Sequence, residues 1–292
     1  MSTEYANLHK YQSSSTLCFS KMQGCGNHFI VAATTEEFAR TIPADTIQKI
    51  CSVHFGIGAD GIFLIYPSSD ANKNDIDFAV YMYNPDGSPM GMCGNGVRCI
   101  TLFVEKYLSG ATILAKKSIK ILVDNSTVVE CKKIQNELVQ VQMGQGVVSD
   151  HKQIILNDGN QISYDAVLVP NPHAIIVCDK LPTLDYLKKV GPEIETHKNF
   201  PNRTNVEFVQ ILNSNALKVM VWERGVGITQ ACGTGACATV LSLHKKGLVE
   251  SKCDVILPGG QLSVEVHSRD GVEYLSLVGP QTEVFVGKIS LN

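Results

Sequence analysis

Apolar residues in this chain fall into short β-branched runs closed by turn residues, and a few longer stretches have helical spacing. Asn27-His28-Phe29-Ile30-Val31 reads as a strand with Asn and His at its mouth, and Asn171-Pro172-His173-Ala174-Ile175-Ile176-Val177 resembles it. A helix-like stretch follows each, Ala44 to His54 and Leu184 to His197. Next come strand-like runs at Gly61–Ile65 and Asn205–Val209, then at Phe78–Tyr83 and Leu217–Trp222. The last two end in turn chemistry, Asn84-Pro85-Asp86-Gly87 and Glu223-Arg224-Gly225-Val226-Gly227.

A helix is predicted after each turn. The first carries Val97, Ile100, Phe103, Val104 and Tyr107 on one face and stops at Gly110. The second runs from Ala236 to Lys246, with Gly247 as its C-terminal cap. Strand pairs close each half, Ile119–Asp124 with Val128–Lys132, and Val255–Leu257 with Gln261–His267 across a Pro258-Gly259-Gly260 turn.

The chain therefore reads twice, residues 17–142 against 160–280. Hairpins replace strict strand–helix–strand alternation, so the expected class is α/β of the α+β type. It is expected as two pseudo-symmetric halves, each an antiparallel-rich sheet wrapped around a central helix, with the active site in the cleft between them. The domains follow as a polar tail over 1–16, an N-terminal half of 17–142 plus 281–292, and a C-terminal half of 143–280.

Composition narrows the setting. A chain of 292 residues with 44% hydrophobic and 18% charged residues has the makeup of a globular protein, not a disordered one. A net charge of −3 without a basic stripe argues against a nucleic-acid partner. Met1 to Thr16 has no apolar core, so no signal peptide is expected, and no stretch approaches the length of a membrane span. A cytoplasmic protein follows as the expectation. The two glycosylation sequons, at Asn125 and Asn202, carry no weight there.

Ten cysteines include no Cys-x-x-Cys and no zinc spacing, so no metal is expected. Cys51, Cys131 and Cys178 read as small core residues, and Cys99 and Cys237 as packing residues inside the helices. Gly56-Ile57-Gly58-Ala59-Asp60-Gly61 spells a dinucleotide fingerprint, but a strand follows it where that motif needs a helix, so it reads as a tight connection.

Cys93-Gly94-Asn95-Gly96 and Cys232-Gly233-Thr234-Gly235 are different, because each sits where a helix begins. Asn84 and Glu223 precede their cysteines by the same nine positions. Glycines there open the backbone N–H groups to a guest, and the helix dipole favours a carboxylate. The same field is expected to lower each thiol pKa from its free value of about 8.5. Two such thiols on opposite faces of an amino acid α-carbon are what inversion requires, one removing a proton and the other returning one. No organic electron sink is needed, and no cofactor is expected. Asn27, Asn84, Asn171, Asn205, Glu223 and Arg224 fall at strand ends around this chemistry, where an acid and a guanidinium suit a second amine and carboxylate.

The segments Phe19-Ser20-Lys21-Met22-x-Gly24-x-Gly26-Asn27, Asn84-Pro85-Asp86-Gly87-Ser88, Cys93–Cys99, Asn171-Pro172-His173, Thr204-Asn205-Val206 and Trp222–Cys237 resemble the diaminopimelate epimerase family in the same order, from about residue 18 to 290. That resemblance implies cofactor-independent interconversion of LL- and meso-2,6-diaminopimelate, in lysine and peptidoglycan precursor synthesis, by a homodimer. It makes Cys93 and Cys232 the acid/base pair, and it puts the reacting carboxylate on Gly94, Asn95, Gly233 and Thr234. Asn84, Asn171, Asn205, Glu223 and Arg224 would read the distal end of the substrate, with Asn27 near the reacting centre and His173 in support. It also implies that the C-terminal strand returns to the first.

Four positions depart from the family pattern: His28 replaces Asp, Val169-Pro170 replaces Met-Gly, and Gly61 stands where some members place a substrate-contacting Gln. They leave open a racemase of another amino acid, such as histidine, although a monocarboxylate would strand Arg224 in a dry cleft. A thiol redox or metal-binding protein and a non-catalytic binding protein are the readings from other classes.

Overall fold

The computed structural model describes residues 16–67, 76–108, 116–124, 126–134 and 138–291. The expected tail lies outside them except for Thr16, as do Gly110 and Asn125. The contacts divide the chain into two compact units: Gln142–Gly279, and the residues on either side of it.

The first unit contains β1 (Thr16–Gly24), β2 (Asn27–Ala33), β3 (Gly61–Tyr66), β4 (Phe78–Tyr83), β5 (Ile119–Val123), β6 (Thr127–Lys133), the start of β7 (Val139–Gln145) and β17 (Thr282–Ser290). They pair in the order β17-β1-β2-β3-β4-β5-β6-β7, antiparallel except for β2–β3 and β4–β5. The second unit contains β8 (Val147–Ile155), β9 (Gln161–Val169), β10 (Asn171–Val177), β11 (Asn205–Asn213), β12 (Ala216–Glu223), β13 (Gly227–Ile228), β14 (Lys252–Leu257), β15 (Gly260–Arg269) and β16 (Val272–Gly279). Here the order is β8-β9-β10-β11-β12-β14-β15-β16, and the parallel pairs, β10–β11 and β12–β14, fall in the same places. The short β13 folds back on β12 as a hairpin. The two units thus share one winding, and β17 returns to β1 as β8 lies beside β9.

Each sheet curls around one helix. In the first unit α3 (Gly94–Phe103) packs on β1, β2, β3 and β6; in the second α5 (Gly233–Lys245) packs on β9, β10, β11, β15 and β16. Every residue of α5 from Gly233 to Leu243 is buried, so this helix is apolar all round because sheet surrounds it. Its end is a Schellman turn: Gly247, at φ +69°, donates to His244 O and Leu248 donates to Leu243 O. The outer face of the first sheet carries α1 (Glu36–Thr41) and α2 (Ala44–Cys51), with Ala39, Ile47 and Ile50 against Ile30, Ile62 and Leu64. The outer face of the second carries α4 (Leu184–Glu195), with Leu187, Val190 and Ile194 against Ala174, Ile176, Val206 and Phe208. With both faces covered, β3 has no exposed position, which is why Gly61-Ile62-Phe63-Leu64-Ile65-Tyr66 reads as an unbroken apolar run.

Several expectations need correction. The stretch from Ala44 is helical only to Cys51, because the chain folds back there: Ile57 N–H bonds Ile50 O, and a Cβ on Gly56 would lie 2.1 Å from Lys49 O. The Gly56–Gly61 segment is accordingly a connection into β3, as expected. The helix from Leu184 stops at Glu195, and α5 begins at Gly233, three residues ahead of the expected start. After Phe103 the helix widens to a π-turn over Val104–Leu108. Cys51, Cys99, Cys131 and Cys237 are core residues, but Cys178 is half-buried at the end of β10, where its thiol donates to Val209 O.

Candidate active site

Cys93 and Cys232 are the N-caps of α3 and α5, with nearly the same backbone: φ −122° and ψ 104° at Cys93, φ −119° and ψ 111° at Cys232. Each sulfur accepts the N–H three residues on, from Gly96 and from Gly235, at 3.4 Å in both cases. A sulfur in the N-cap role is held at the positive end of a helix. Glycine three positions on is required by packing. A Cβ on Gly96 would lie 2.5 Å from the Phe63 ring, and one on Gly235 would lie 2.5 Å from Glu207 Oε1.

Register fixes which residues correspond. Phe29 lies opposite Gly61 in β2–β3, as His173 lies opposite Asn205 in β10–β11. Phe63 then corresponds to Glu207, Asn84 to Glu223 and Asn27 to Asn171. His28, which the sequence pattern sets beside His173, instead corresponds to Pro172. It accompanies a separate cluster: its Nδ1 is 2.8 Å from Lys21 Nζ, and its N–H donates to Asp60 Oδ2 at 2.9 Å. Lys21 also donates to Gly58 O, and burial holds its pKa below the usual lysine value against the pull of Asp60.

In the first unit Asn95 Nδ2 donates to Asn27 Oδ1 at 2.7 Å, which ties the start of α3 to the β1–β2 hairpin. The hairpin is further held by Arg98, fully buried, whose Nη2 reaches Cys25 Sγ and whose Nη1 donates to Gly94 O. Asn84 Nδ2 donates within its own turn to Ser88 Oγ and Pro89 O. Gly61 leaves no room for a side chain, because a Cβ would lie 2.7 Å from both Met90 Cε and Tyr83 O.

In the second unit His173 Nδ1 lies 2.7 Å from Glu207 Oε1, and its Nε2 lies 2.9 Å from Asn171 Oδ1 and 3.3 Å from Val169 O. Both side chains of the His173–Glu207 pair are fully buried. Asn205 is also committed: Oδ1 accepts the Arg224 N–H at 2.9 Å and Nδ2 donates to Pro172 O at 3.0 Å. Glu223 accepts from Thr229 Oγ1 at 2.5 Å and bonds the Cys232 thiol, and burial raises its pKa. Arg224 is exposed, with Nη1 donating to Asn202 O.

The expected lowering of both thiols does not hold at Cys232. Burial, then the charges of Glu223 and Glu207, push its pKa well above the usual cysteine value, and the bonds from Thr234 and Gly235 do not offset them. Glu207 was missed by motif reading. Its signal was a lone acid inside the apolar run Val206-Glu207-Phe208-Val209, which is buried on both faces. Thr229, which bonds Glu223, was missed as well.

Among the described residues no cluster of three or more His, Cys, Asp or Glu side chains is arranged to hold a metal ion. Nor is any helix there long and apolar enough to cross a membrane.

Comparison with known proteins gives one family and one fold. The family described as diaminopimelate epimerase matches residues 19–148 and 166–282. The diaminopimelate epimerase of Synechocystis is 36% identical over 94% of this chain and 99% of its own length. That of Bacteroides thetaiotaomicron is 37% identical over 93% of this chain and 97% of its own. Among solved structures, a hydroxyproline epimerase from Agrobacterium vitis superposes with a TM-score of 0.69 at 16% identity, covering 95% of this chain and 93% of that one. A PhzF-family phenazine biosynthesis protein from Bacillus anthracis gives 0.66 at 14% identity, over 94% and 99%. At these identities the likeness extends to the fold, two similar halves of curled sheet.

Proposed function

This chain belongs to the diaminopimelate epimerase family, and on that premise we propose that it interconverts LL- and meso-2,6-diaminopimelate with Cys93 and Cys232 as its two acid/base groups. The observation that carries the reading is the pair of N-cap cysteines at corresponding points of two identically wound units. One sulfur, as thiolate, takes the α-proton, and the C–H bond pair flows toward the adjacent carboxylate. The other, as thiol, delivers its proton to the opposite face of the same carbon. Negative charge that develops on the carboxylate meets backbone N–H groups at Gly94, Asn95, Gly233 and Thr234.

The surroundings of the two sulfurs differ. Cys232 is held in its thiol form by burial first and then by the charges of Glu223 and Glu207. Cys93 has the apolar Phe63 behind its helix and the buried guanidinium of Arg98 one turn on. Asn84, Asn171, Asn205, Glu223 and Arg224 read the distal amine and carboxylate, with Asn27 near the reacting carbon and His173 behind Cys232. The same reading carries a cytoplasmic homodimer that needs no metal or organic cofactor.

The test is substrate-directed. Incubated with LL-diaminopimelate in deuterated water, the protein is expected to yield meso product with one deuterium at the inverted α-carbon. Exchange with a different amino acid, and none with diaminopimelate, would replace this reading with that of a racemase for the other substrate.

A further inference from the structure

Glu195 ends α4 as a buried carboxylate, and its bonds converge on the hairpin that carries Glu223 and Arg224. Oε2 accepts the indole N–H of Trp222 at 2.7 Å. Oε1 accepts the backbone N–H of Gly225 at 2.9 Å and Nη1 of Arg203 at 3.4 Å. From the other side, Asn205 Oδ1 accepts the N–H of Arg224. Two successive N–H groups of the turn are thus each held by a buried side chain. The turn is closed by Val226 N–H to Glu223 O and bends at Gly225, where φ is +77°. Trp222 is fixed in turn by Gly191, one helical turn before Glu195: a Cβ there would lie 2.5 Å from the indole.

The corresponding turn of the first unit has no buried acid bonded to it among the described residues. It is closed by its own Asn84, Asp86 and Ser88, and from α2 the uncharged Gln48 side chain donates to Asp86 O. Joining two strands therefore does not require a carboxylate underneath, and burying one is costly unless several donors meet it. The difference between the two turns is what each presents: Asn84 in one, Glu223 and Arg224 in the other.

We propose that Glu195 is a positioning residue for substrate recognition: it fixes the Arg224-Gly225 backbone so that the Arg224 guanidinium is presented to the distal carboxylate in one orientation. This rests on the reading of Arg224 given under the proposed function. Glu195 touches no reacting atom, so its loss weakens substrate binding and leaves proton transfer intact.

Trp222 is the only tryptophan in the chain, so its emission reports on this bond directly. The experiment compares wild type, Glu195→Gln and Thr196→Ala by steady-state kinetics with LL-diaminopimelate and by Trp222 fluorescence. Thr196, whose hydroxyl bonds Pro192 O at the same helix end, controls for local loosening. Glu195→Gln is expected to raise KM about tenfold with kcat within about twofold, and to shift the emission; Thr196→Ala is expected to do neither. An unchanged KM, a fall in kcat alone, or an equal KM rise in Thr196→Ala overturns the proposal. If Glu195→Gln fails to fold, Trp222→Phe, which removes one of the donors, must raise KM at constant kcat, and an unchanged KM there overturns it. A wild-type protein with no activity on diaminopimelate counts instead against the functional reading.

Discussion

His173 and Glu207 form a buried imidazole–carboxyl pair at 2.7 Å in the positions that Phe29 and Phe63 occupy in the first unit, where the two rings meet tilted by 32° with centroids 4.5 Å apart. Both pairs lie behind the N-terminus of a central helix, since Phe63 meets Gly96 and Glu207 meets Gly235. One winding therefore supports two cysteines against different backgrounds, apolar at Cys93 and polar at Cys232. Replacing the polar pair by the apolar one, His173→Phe with Glu207→Phe, is expected to leave a folded protein. The single change Glu207→Ala should cost about 1–3 kcal/mol by stranding the imidazole. Denaturant unfolding measures both. Activity of the double variant is expected to fall about 100-fold or more, the scale of losing assistance to an acid/base group. A double variant with full activity would remove the polar background from the mechanism.

Unequal backgrounds also predict unequal reactivity. At neutral pH iodoacetamide should modify Cys93 before Cys232, because the thiolate is the nucleophile and Cys232 is both buried and held as a thiol. Peptide mapping by mass spectrometry gives the order. Glu207→Gln removes one of the charges that raise the Cys232 pKa. The alkaline limb of kcat/KM, where the remaining thiol is lost, should then move to lower pH. A limb that stays in place would show that Glu207 does not act on this sulfur.

The sequence order of strands and helices was legible because turn residues bracket each β-branched run, and both N-cap cysteines stand out by their paired glycines. Other features were hidden for identifiable reasons. The helix α1 has six residues, too few to show a period, although Thr35 caps it and Glu36 and Glu37 fill its first turn. The π-turn at Val104–Leu108 keeps the apolar spacing of a helix, so Val104 and Tyr107 look continuous with α3. Matching His28 to His173 failed because Asn27 and Asn171 share a register position and the two histidines follow them at different distances. The raised pKa of Cys232 comes first from its burial and then from Glu223 and Glu207, none of which the Cys-Gly-x-Gly motif itself displays, and Glu207 is carried there by β11.

Acid stability should depend on one carboxylate in each unit. Burial alone would raise the pKa of Asp165, but bonds from Lys246, Ser242 and His151 outweigh it and hold it below the usual value. Glu283 is likewise opposed by burial and held low by Lys106, Tyr107 and Ser20. A depressed carboxylate stabilises the fold fully above its unfolded pKa, about 3.9 for Asp and 4.3 for Glu, and that contribution is lost as pH falls through the folded value. Asp165→Asn and Glu283→Gln should therefore be less stable than wild type at pH 7, with the gap closing below about pH 4. Urea unfolding across pH tests this, and a gap that does not vary with pH would contradict it.

The most direct test of the central claim, two cysteines acting on one carbon, is α-proton exchange by the single variants Cys93→Ala and Cys232→Ala with LL-diaminopimelate in deuterated water. Wild type is expected to form deuterated meso product, and each folded variant none. Epimerisation at the wild-type rate by either variant would contradict the account.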